Sequence, residues 1–576
     1  MPLWQVHAGM RCTGYSVIQG TEISSFDVEV LDVASGEATS GGGRILFQAS
    51  GPAIDATGLG PGFSGSPIYC PDGAGVARNI GAVSESVSEY GGKVALATPI
   101  EAILGTPVDP PGKPNAAAAR RGAEAPRGSQ RRARKHAAAA RAQLSPRMRA
   151  ALAHARPLAA PLTVSGVTGQ VAQALTAAGA KAGRPLLTVP AGPLASFPVQ
   201  TLRPGSAVAV GYSTGDVRTS AVGTVAYVDG DRVWVFGHSL EGVGRRALLL
   251  QDAYVFRIIN NPLQIGDIAS TYKLAASGHD VGTVSNDGFD AVAGRTGVLP
   301  HTVPVEVIAR DEDNGETTTL RTQAADEGAV DLPSGGSWTS FVAPLAVAQA
   351  AGEVLGSSPP RLTGEMCARI VLAEMERPLR FCNRYISVAS GLSDDFSLEN
   401  AVLSGTASDL GDALATIDAY TGKPPTVTGV NVLLEVHRGA DQAFIRHVRM
   451  PRTVRRGQRV RVRVSLQRVR GGRFTRTYRV RIPSRAPRGK QQLRFVGHDA
   501  DEGSDIFSTI IIDDEDLSGE GGDRGPTTLR RLAKRVRATA RYDGVTVRIG
   551  RRVAKAFRDD DFRISGNAEA TVRVRR

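Results

Sequence analysis

The chain has 576 residues and a mass of 60.4 kDa, several times the size of an ordinary domain, so we expect a multidomain protein. Hydrophobic residues make up 41% of the chain and charged residues 22%, which excludes a wholly disordered protein. Aromatic residues are only 5%, whereas there are 66 glycines and 33 prolines. This combination favours short β-strands joined by many turns. No apolar run approaches the roughly 18 residues of a membrane-spanning helix, so we expect no membrane span in this chain.

The net charge of +13 is concentrated in two segments. Residues 113–156 carry a net charge of +11 and residues 451–498 carry +16, so the rest of the chain is acidic, at −14. Proteins that bind nucleic acid combine a basic surface with a recognisable motif, and no zinc-finger, RNP or P-loop spacing accompanies these segments. We therefore expect no nucleic-acid partner.

Residues 1–112 are predicted to form a first β-barrel half. Phe26–Val30 alternates strictly between apolar and polar residues, as a half-buried strand does. Ile80–Val83 and Val94–Ala97 are compact apolar runs bounded by turns. Residues 113–160 are low-complexity sequence rich in Ala and Arg, which predicts a basic, solvated linker; a tether to an anionic surface is the alternative.

Residues 161–310 are predicted to form a second β-barrel half. Strands are expected over 207–210, 221–228, 232–236 and 303–308, and Asp229-Gly230 predicts a tight hairpin turn. Strands and helices do not alternate here, which argues against a parallel βαβ sheet.

Residues 311–425 are predicted to be an α+β connecting region, with helices over 341–355 and 406–419. An Arg-rich, Ig-like β-sandwich is expected over 426–525, followed by a small basic module over 526–576. Arg459 to Val464 places arginines on one face of a strand and valines on the other, which predicts either a solvated cationic face or a platform for an anionic cell-envelope polymer. The acidic residues between Asp499 and Asp516 do not match an EF-hand loop, so no metal site is predicted.

Four cysteines fall two by two into separate regions, and none belongs to a CxxC pair or a Cys/His cluster. Cys12 with Cys70 and Cys367 with Cys382 could form disulfides in an oxidising compartment, or all four could be buried thiols.

The motif with the clearest chemistry is the glycine-rich turn Gly58–Ile68. An acyl-transfer serine needs its Oγ on a tight turn, with backbone N–H groups directed at the oxyanion. Ser64 fits the nucleophile position better than Ser66, and the amides of Gly62 and Ser64 could form the oxyanion hole. The alternative is an ordinary glycine-rich turn with two incidental serines.

A second motif runs from Gly223-Thr224 to Phe236-Gly237-His238. A histidine that ends a hydrophobic hairpin strand is well placed to act as a general base at a seam between two barrels. A structural histidine is the alternative. Gly237–Gly242 also approaches the α/β-hydrolase elbow G-x-S-x-G, but Glu241 stands where that elbow needs a small residue.

Together these motifs resemble the SpoIVB-type serine peptidases. The resemblance covers roughly residues 5–310 without the basic linker, and it also includes Phe26–Val30 and Thr98–Glu101. It implies a chymotrypsin-like double β-barrel, a serine nucleophile at Ser64 and a histidine base at His238. Two features differ from the family: the serine half precedes the histidine half, and no PDZ-like segment is visible.

The resemblance also implies an Asp-Pro shortly before the serine turn, to supply the acid of the triad. This chain has Ser50-Gly51-Pro52 there. Asp55, Asp252 and Asp287 are the candidates to replace that acid, and activity is expected to be weak if none does.

The sequence therefore predicts a serine endopeptidase that acts on a protein substrate outside the cytoplasm, with a regulatory role and no cofactor. The alternative is a catalytically inactive surface or envelope protein that binds an anionic polymer through its basic β-sandwich. Residues 1–15 show no export signal, so we expect one to lie upstream of this chain.

Overall fold

The structure is a computed structural model. It describes residues 1–35, 42–87, 92–110, 144–158, 162–181, 186–190, 197–260, 271–328, 338–356, 359–388, 401–421, 425–497, 525–539, 544–549 and 552–575. The chain divides into two compact units, Met1–Val303 with Thr322–Val342, and Pro304–Arg321 with Ala343–Arg576. Both are mainly β, as the composition predicted.

The first half of the first unit is a closed sheet. The elements are a 3-10 helix (Leu3–Gln5), β1 (Arg11–Val17), β2 (Ile23–Ala34), β3 (Arg44–Ser50), α1 (Pro52–Thr57), β4 (Pro67–Pro71), β5 (Ala77–Ser86), β6 (Val94–Pro99) and α2 (Ile100–Leu104). The strands follow the order β4-β1-β2-β3-β6-β5, and a pairing of β4 with β5 closes the ring. Closure leaves the sheet without a long unpaired edge.

The alternating pattern of β2 explains how this sheet builds its core. Phe26, Val28 and Val30 are buried inside the ring, while the residues between them are exposed. Cys12 of β1 and Cys70 of β4 lie in the same apolar cluster and form a disulfide.

Two elements lie within the range predicted as a linker. The helix α3 (Pro146–His154) begins at Ser145, whose Oγ accepts a hydrogen bond from the amide of Met148, and Pro146 occupies the first helical turn. The short strand β7 (Arg156–Pro157) then pairs with β5. Residues 113–143 and 159–160 of the predicted linker lie outside the described residues.

The second half of the first unit contains β8 (Leu162–Val167), α4 (Gly169–Lys181), β9 (Leu186–Pro190), β10 (Ala207–Gly211), β11 (Ser213–Gly215), β12 (Arg218–Asp229), β13 (Arg232–Val235), β14 (Gly244–Asn260), β15 (Thr271–Asp287) and β16 (Val292–Thr296). Six of these strands form a second closed sheet in the order β10-β14-β15-β16-β13-β12, with β10 paired to β12. Strands β8 and β9 extend this sheet beside β12. The predicted hairpin is confirmed: Asp229 pairs with Arg232 across the turn.

The second unit begins with a mixed sheet. Three of its elements have residues in both units: β17 (Thr302–Asp311), β18 (Thr317–Ala325) and α5 (Trp338–Leu355). The others are β19 (Arg361–Leu372), β20 (Leu379–Val388), α6 (Ala401–Asp418) and β21 (Val427–Arg438). β17 pairs in parallel with β21, which is antiparallel to β19, and β19 pairs with β20. The disulfide Cys367–Cys382 joins β19 to β20. The two predicted helices are confirmed, each with a start a few residues earlier.

The remaining elements of this unit are β22 (Gln442–Arg449), β23 (Thr453–Arg455), β24 (Arg459–Arg468), β25 (Arg473–Arg481), β26 (Gly489–Gly497), α7 (Leu529–Arg537), β27 (Gly544–Ile549), β28 (Arg552–Arg558), β29 (Arg563–Ser565) and β30 (Asn567–Arg575). The strands form two sheets that share one apolar core, in the orders β25-β24-β22-β29 and β23-β30-β26-β27-β28. The sequence predicted residues 526–576 as a separate module, whereas their strands pair with β22, β23 and β26 and share that core.

None of the described helices is both long enough and apolar enough to cross a bilayer. The acidic residues between Asp499 and Asp516 lie outside the described residues. Elsewhere in the described ranges, His, Cys, Asp and Glu side chains form no cluster of three or more that could hold a metal ion.

Candidate active site

The turn that carries Ser64 is held by backbone contacts with both closed sheets. The amide of Gly65 donates to the carbonyl of Val83 (2.8 Å), and the amide of Val83 donates to the carbonyl of Ser66 (3.0 Å). From the other sheet, the amide of Thr224 donates to the carbonyl of Ser64 (2.9 Å). The hydroxyl of Thr224 donates to the carbonyl of Gly62 (3.0 Å). The turn is therefore fixed at the contact between the two sheets.

Gly65 can be nothing but glycine. Its φ is +88°, and a Cβ built on it would lie 2.0 Å from the carbonyl oxygen of Thr224 and 2.6 Å from the amide nitrogen of Phe236. The backbone of the serine turn thus lies directly against the end of the strand that leads to His238.

The strand end before His238 has an uncommon backbone. Phe236 has a φ of +71°, which is rare for a bulky residue, and Gly237 follows it with a φ of +66°. Gly223 leaves space for the Phe236 ring, because a Cβ there would lie 2.3 Å from that ring. The hydroxyl of Thr98 donates to the carbonyl of Gly237 (2.7 Å). These contacts hold His238 at the same seam as the serine turn.

Ser64 and His238 are both buried, with 0% and 5% of their surface exposed. The Oγ of Ser64 and the Nε2 of His238 have no hydrogen-bond partner among the described residues. Buried polar atoms normally find a partner, so each orphaned atom calls for an explanation. The segments that carry the predicted nucleophile and base are thus in contact, while Ser64 Oγ and His238 Nε2 are not hydrogen-bonded to each other.

The Nδ1 atom of His238 lies 2.6 Å from the carbonyl oxygen of Ser239. A carbonyl can only accept a hydrogen bond, so Nδ1 carries the proton and Nε2 of the neutral ring is the free base. Burial lowers the pKa of His238 below its ordinary value of 6.5, which favours the neutral form. Four weaker influences raise this pKa: the backbone of Ser239, the backbone of Leu158, and the charges of Glu85 and Asp287.

None of the three predicted triad acids bonds to His238. Asp55 is on the surface, paired with Lys93 (2.7 Å), and Asp252 pairs with His279 (2.9 Å). Asp287 lies close enough for its charge to raise the pKa of His238. Its oxygens, however, accept three backbone hydrogen bonds of 2.7–2.8 Å, from the amides of residues 240 to 242. Asp287 thus holds the loop that follows His238.

The amides proposed for the oxyanion hole are free within the described part of the chain. Phe63, Gly65 and Ser66 use their amides in hydrogen bonds of the turn, whereas those of Gly62 and Ser64 have no acceptor there. Two uncommitted N–H groups on one turn can stabilise a developing oxyanion.

Lys273 was missed by the sequence analysis. It lies on β15, its ammonium group is buried, and Nζ donates to Ser16 (2.6 Å) and to Thr224 (3.3 Å). Ser16 in turn bonds to Ser66 (2.8 Å), which commits the hydroxyl of Ser66 to this network. Nζ also lies 4.5 Å from the centre of the Phe63 ring. The only feature of the sequence that could have indicated this burial is that Lys273 occupies an inward position in the alternating pattern of β15.

Comparisons of the chain with protein-family models, with curated proteins and with solved structures found no match. The residues and contacts at the seam therefore carry the functional argument by themselves.

Proposed function

We propose that the chain is a serine endopeptidase of the SpoIVB type, with Ser64 as the nucleophile and His238 as the general base. The observation that carries the proposal is the pair of orphaned buried atoms, Ser64 Oγ and His238 Nε2, on two backbone segments in direct contact. Two closed six-stranded sheets on either side of this seam support a chymotrypsin-like double barrel.

In this mechanism, Nε2 of His238 takes the proton of Ser64 as Oγ attacks the substrate carbonyl. The amides of Gly62 and Ser64 bind the oxyanion of the tetrahedral intermediate. Protonated His238 then donates to the leaving amine, and water hydrolyses the acyl-enzyme by the same route. The carbonyl of Ser239 orients the ring in place of a carboxylate, so we expect a slow enzyme.

The two disulfides support action outside the cytoplasm, because such bonds persist in oxidising compartments. We propose a protein substrate and a regulatory role there, with no cofactor in the reaction.

Labelling with a fluorescent fluorophosphonate tests the proposal. We expect the full chain to be labelled, and Ser64→Ala and His238→Ala each to lose at least about 90% of the labelling rate. Ser25→Ala, on an exposed position of β2, is the matched control and should label like the unaltered chain. Thermal unfolding checks that each variant is folded. Equal labelling of Ser64→Ala and the control would contradict the proposal.

A second candidate function is favoured by the outer face of β22, β24 and β25. On it, Arg459 pairs with Arg481, Arg461 with Arg479, and Arg449 with Arg463. Within the described residues, none of these six has an acidic partner. Like charges directly opposite each other destabilise a sheet, and a bound polyanion would remove that cost. We therefore propose, as the alternative, an inactive peptidase scaffold that binds an anionic cell-envelope polymer.

A further inference from the structure

One hydrogen-bonding edge of β5 lies beside the serine turn. β4 pairs with this edge as far as Ala82. Val83 then exchanges two hydrogen bonds with the turn, and a bulge between Val83 and Glu85 redirects the strand. Beyond the bulge, β4 no longer covers the edge. An exposed strand edge beside a nucleophile is a place where an extended peptide can add by backbone hydrogen bonds.

The chain fills this stretch with its own residues 156–158. Arg156 lies opposite Ser86, Pro157 lies opposite Glu85, and the amide of Leu158 donates to the carbonyl of Ser84 (2.9 Å). The direction is antiparallel, so the segment runs towards the serine turn and reaches it with Leu158.

Leu158 is the one buried residue of the segment. Its side chain is 3% exposed and belongs to the same apolar cluster as Phe63, the neighbour of Ser64. Arg156 and Pro157 are exposed. A peptide ligand held on a strand edge has this pattern, with backbone bonds along its length and one side chain in a pocket.

The backbone of Leu158 also lies beside the catalytic base. It acts to raise the pKa of His238, which is what a carbonyl near the ring does, because it stabilises the protonated imidazole. Leu158 thus shares an apolar cluster with Phe63, and its backbone is near enough to His238 to act on the pKa of the ring. Ser64 itself has no exposed surface.

We propose that Arg156–Leu158 is a built-in ligand of the Ser64 site: it occupies the peptide-binding edge of β5 and blocks the site. The inference rests on the proposed function. It names the substrate class, an extended peptide that pairs with residues 84–86 and places an aliphatic residue where Leu158 lies. A substrate must displace this segment before Ser64 can react.

The test compares fluorophosphonate labelling of the full chain with that of Leu158→Asp. Aspartate cannot remain in the apolar pocket without a large desolvation cost, so the segment leaves it. If the Ser64 site of the unaltered chain is open less than about a tenth of the time, release of the Arg156–Leu158 segment raises the labelling rate at least about tenfold. Leu158→Ala, a milder change, should give a smaller increase in the same direction. Leu104→Asp, at an exposed leucine, is the control and should leave the rate unchanged.

A competition experiment tests the specificity. The peptide acetyl-Arg-Pro-Leu-amide should slow the labelling of Leu158→Asp, whereas acetyl-Arg-Pro-Asp-amide should not. Equal labelling of Leu158→Asp, Leu158→Ala and the unaltered chain would overturn the inference and leave the proposed nucleophile standing, as would equal protection by both peptides. Absence of labelling in every protein would overturn the proposed function, and this inference with it.

Discussion

His238 donates through Nδ1 to a backbone carbonyl, and this determines which nitrogen can act as the base. A serine peptidase normally orients this ring with a carboxylate, which also stabilises the imidazolium. Here the orienting group is neutral, and burial lowers the pKa of His238. The ring is therefore a weaker base than in a complete triad, but it is neutral over a wider range of pH.

The pH dependence of labelling follows from this shift. The base must be neutral to accept the proton of Ser64, so the rate falls as pH drops through the folded-state pKa of His238. That pKa lies below 6.5, so the acid limb should have its midpoint below pH 6.5. The rate of fluorophosphonate labelling of the unaltered chain, measured as a function of pH, checks this. A midpoint above 6.5 would contradict the assignment of the base.

Lys273 gives a second prediction at this scale. Burial lowers its pKa from 10.5 to about 7, and in the unfolded chain it returns to about 10.5. Between these values the unfolded state binds more protons, so the free energy of unfolding should rise with pH across this window, by at most about 1.4 kcal/mol per pH unit. Below pH 7, Lys273 does not contribute to the change of the free energy of unfolding with pH.

The variant Lys273→Met should lose this component of the pH dependence. Urea unfolding at several pH values between about 7 and 10, followed by tryptophan fluorescence, measures it. Lys93→Met is the control, because Lys93 pairs with Asp55 on the surface and should leave the slope intact. If the free energy of unfolding changes with pH equally in Lys273→Met and in the unaltered chain, the ammonium group is not buried as described.

Among the elements, the serine turn is one whose shape tolerates little change. Gly65→Ala forces a Cβ to 2.0 Å from the Thr224 carbonyl in a backbone conformation that L-residues avoid. We expect a loss of at least about 3 kcal/mol of stability and of all labelling. Gly73→Ala, where a Cβ meets nothing within 4 Å, should change stability by less than about 1 kcal/mol. Urea unfolding distinguishes the two; similar losses would contradict the described packing of the turn.

The arginine face of β24 is the element on which the second candidate function rests. Replacement of Arg459, Arg461 and Arg463 by Gln should weaken retention on a dextran sulfate column, and retention of the unaltered chain should fall steeply with added salt. A control of equal charge replaces Arg485, Arg488 and Lys490, which lie outside these strands. Equal loss in both triple variants would show that net charge, and not this face, binds the polymer.

Over the whole molecule, each disulfide stabilises one unit. Cys12–Cys70 closes a loop with a sequence separation of 58, and Cys367–Cys382 one of 15. The loop-entropy relation gives about 4 kcal/mol for the first and about 3 kcal/mol for the second. Calorimetry of the two Cys→Ala double variants should therefore show a lowered transition of the first unit in one and of the second unit in the other. A single transition lowered equally by both would contradict the division into two units.

Much of the architecture could be predicted from local sequence. The strict alternation of Phe26–Val30 identified an inward face, Asp229-Gly230 identified a hairpin, and the apolar helices around 341–355 and 406–419 were located within a few residues. These features succeed because period and turn chemistry act between near neighbours in the chain. The helix α3 was missed, since its capping signal at Ser145-Pro146 is surrounded by low-complexity sequence.

The sequence by itself determined the mainly β fold and the two segments that carry Ser64 and His238, because glycine turns and alternating strands are local properties. Only the tertiary structure decided what surrounds them. It placed Lys273 beneath the serine turn, directed the Asp287 carboxylate to backbone amides and laid Leu158 beside His238. Those contacts join residues tens to hundreds of positions apart, and long-range contacts depend on how closed sheets pack, which no local pattern encodes.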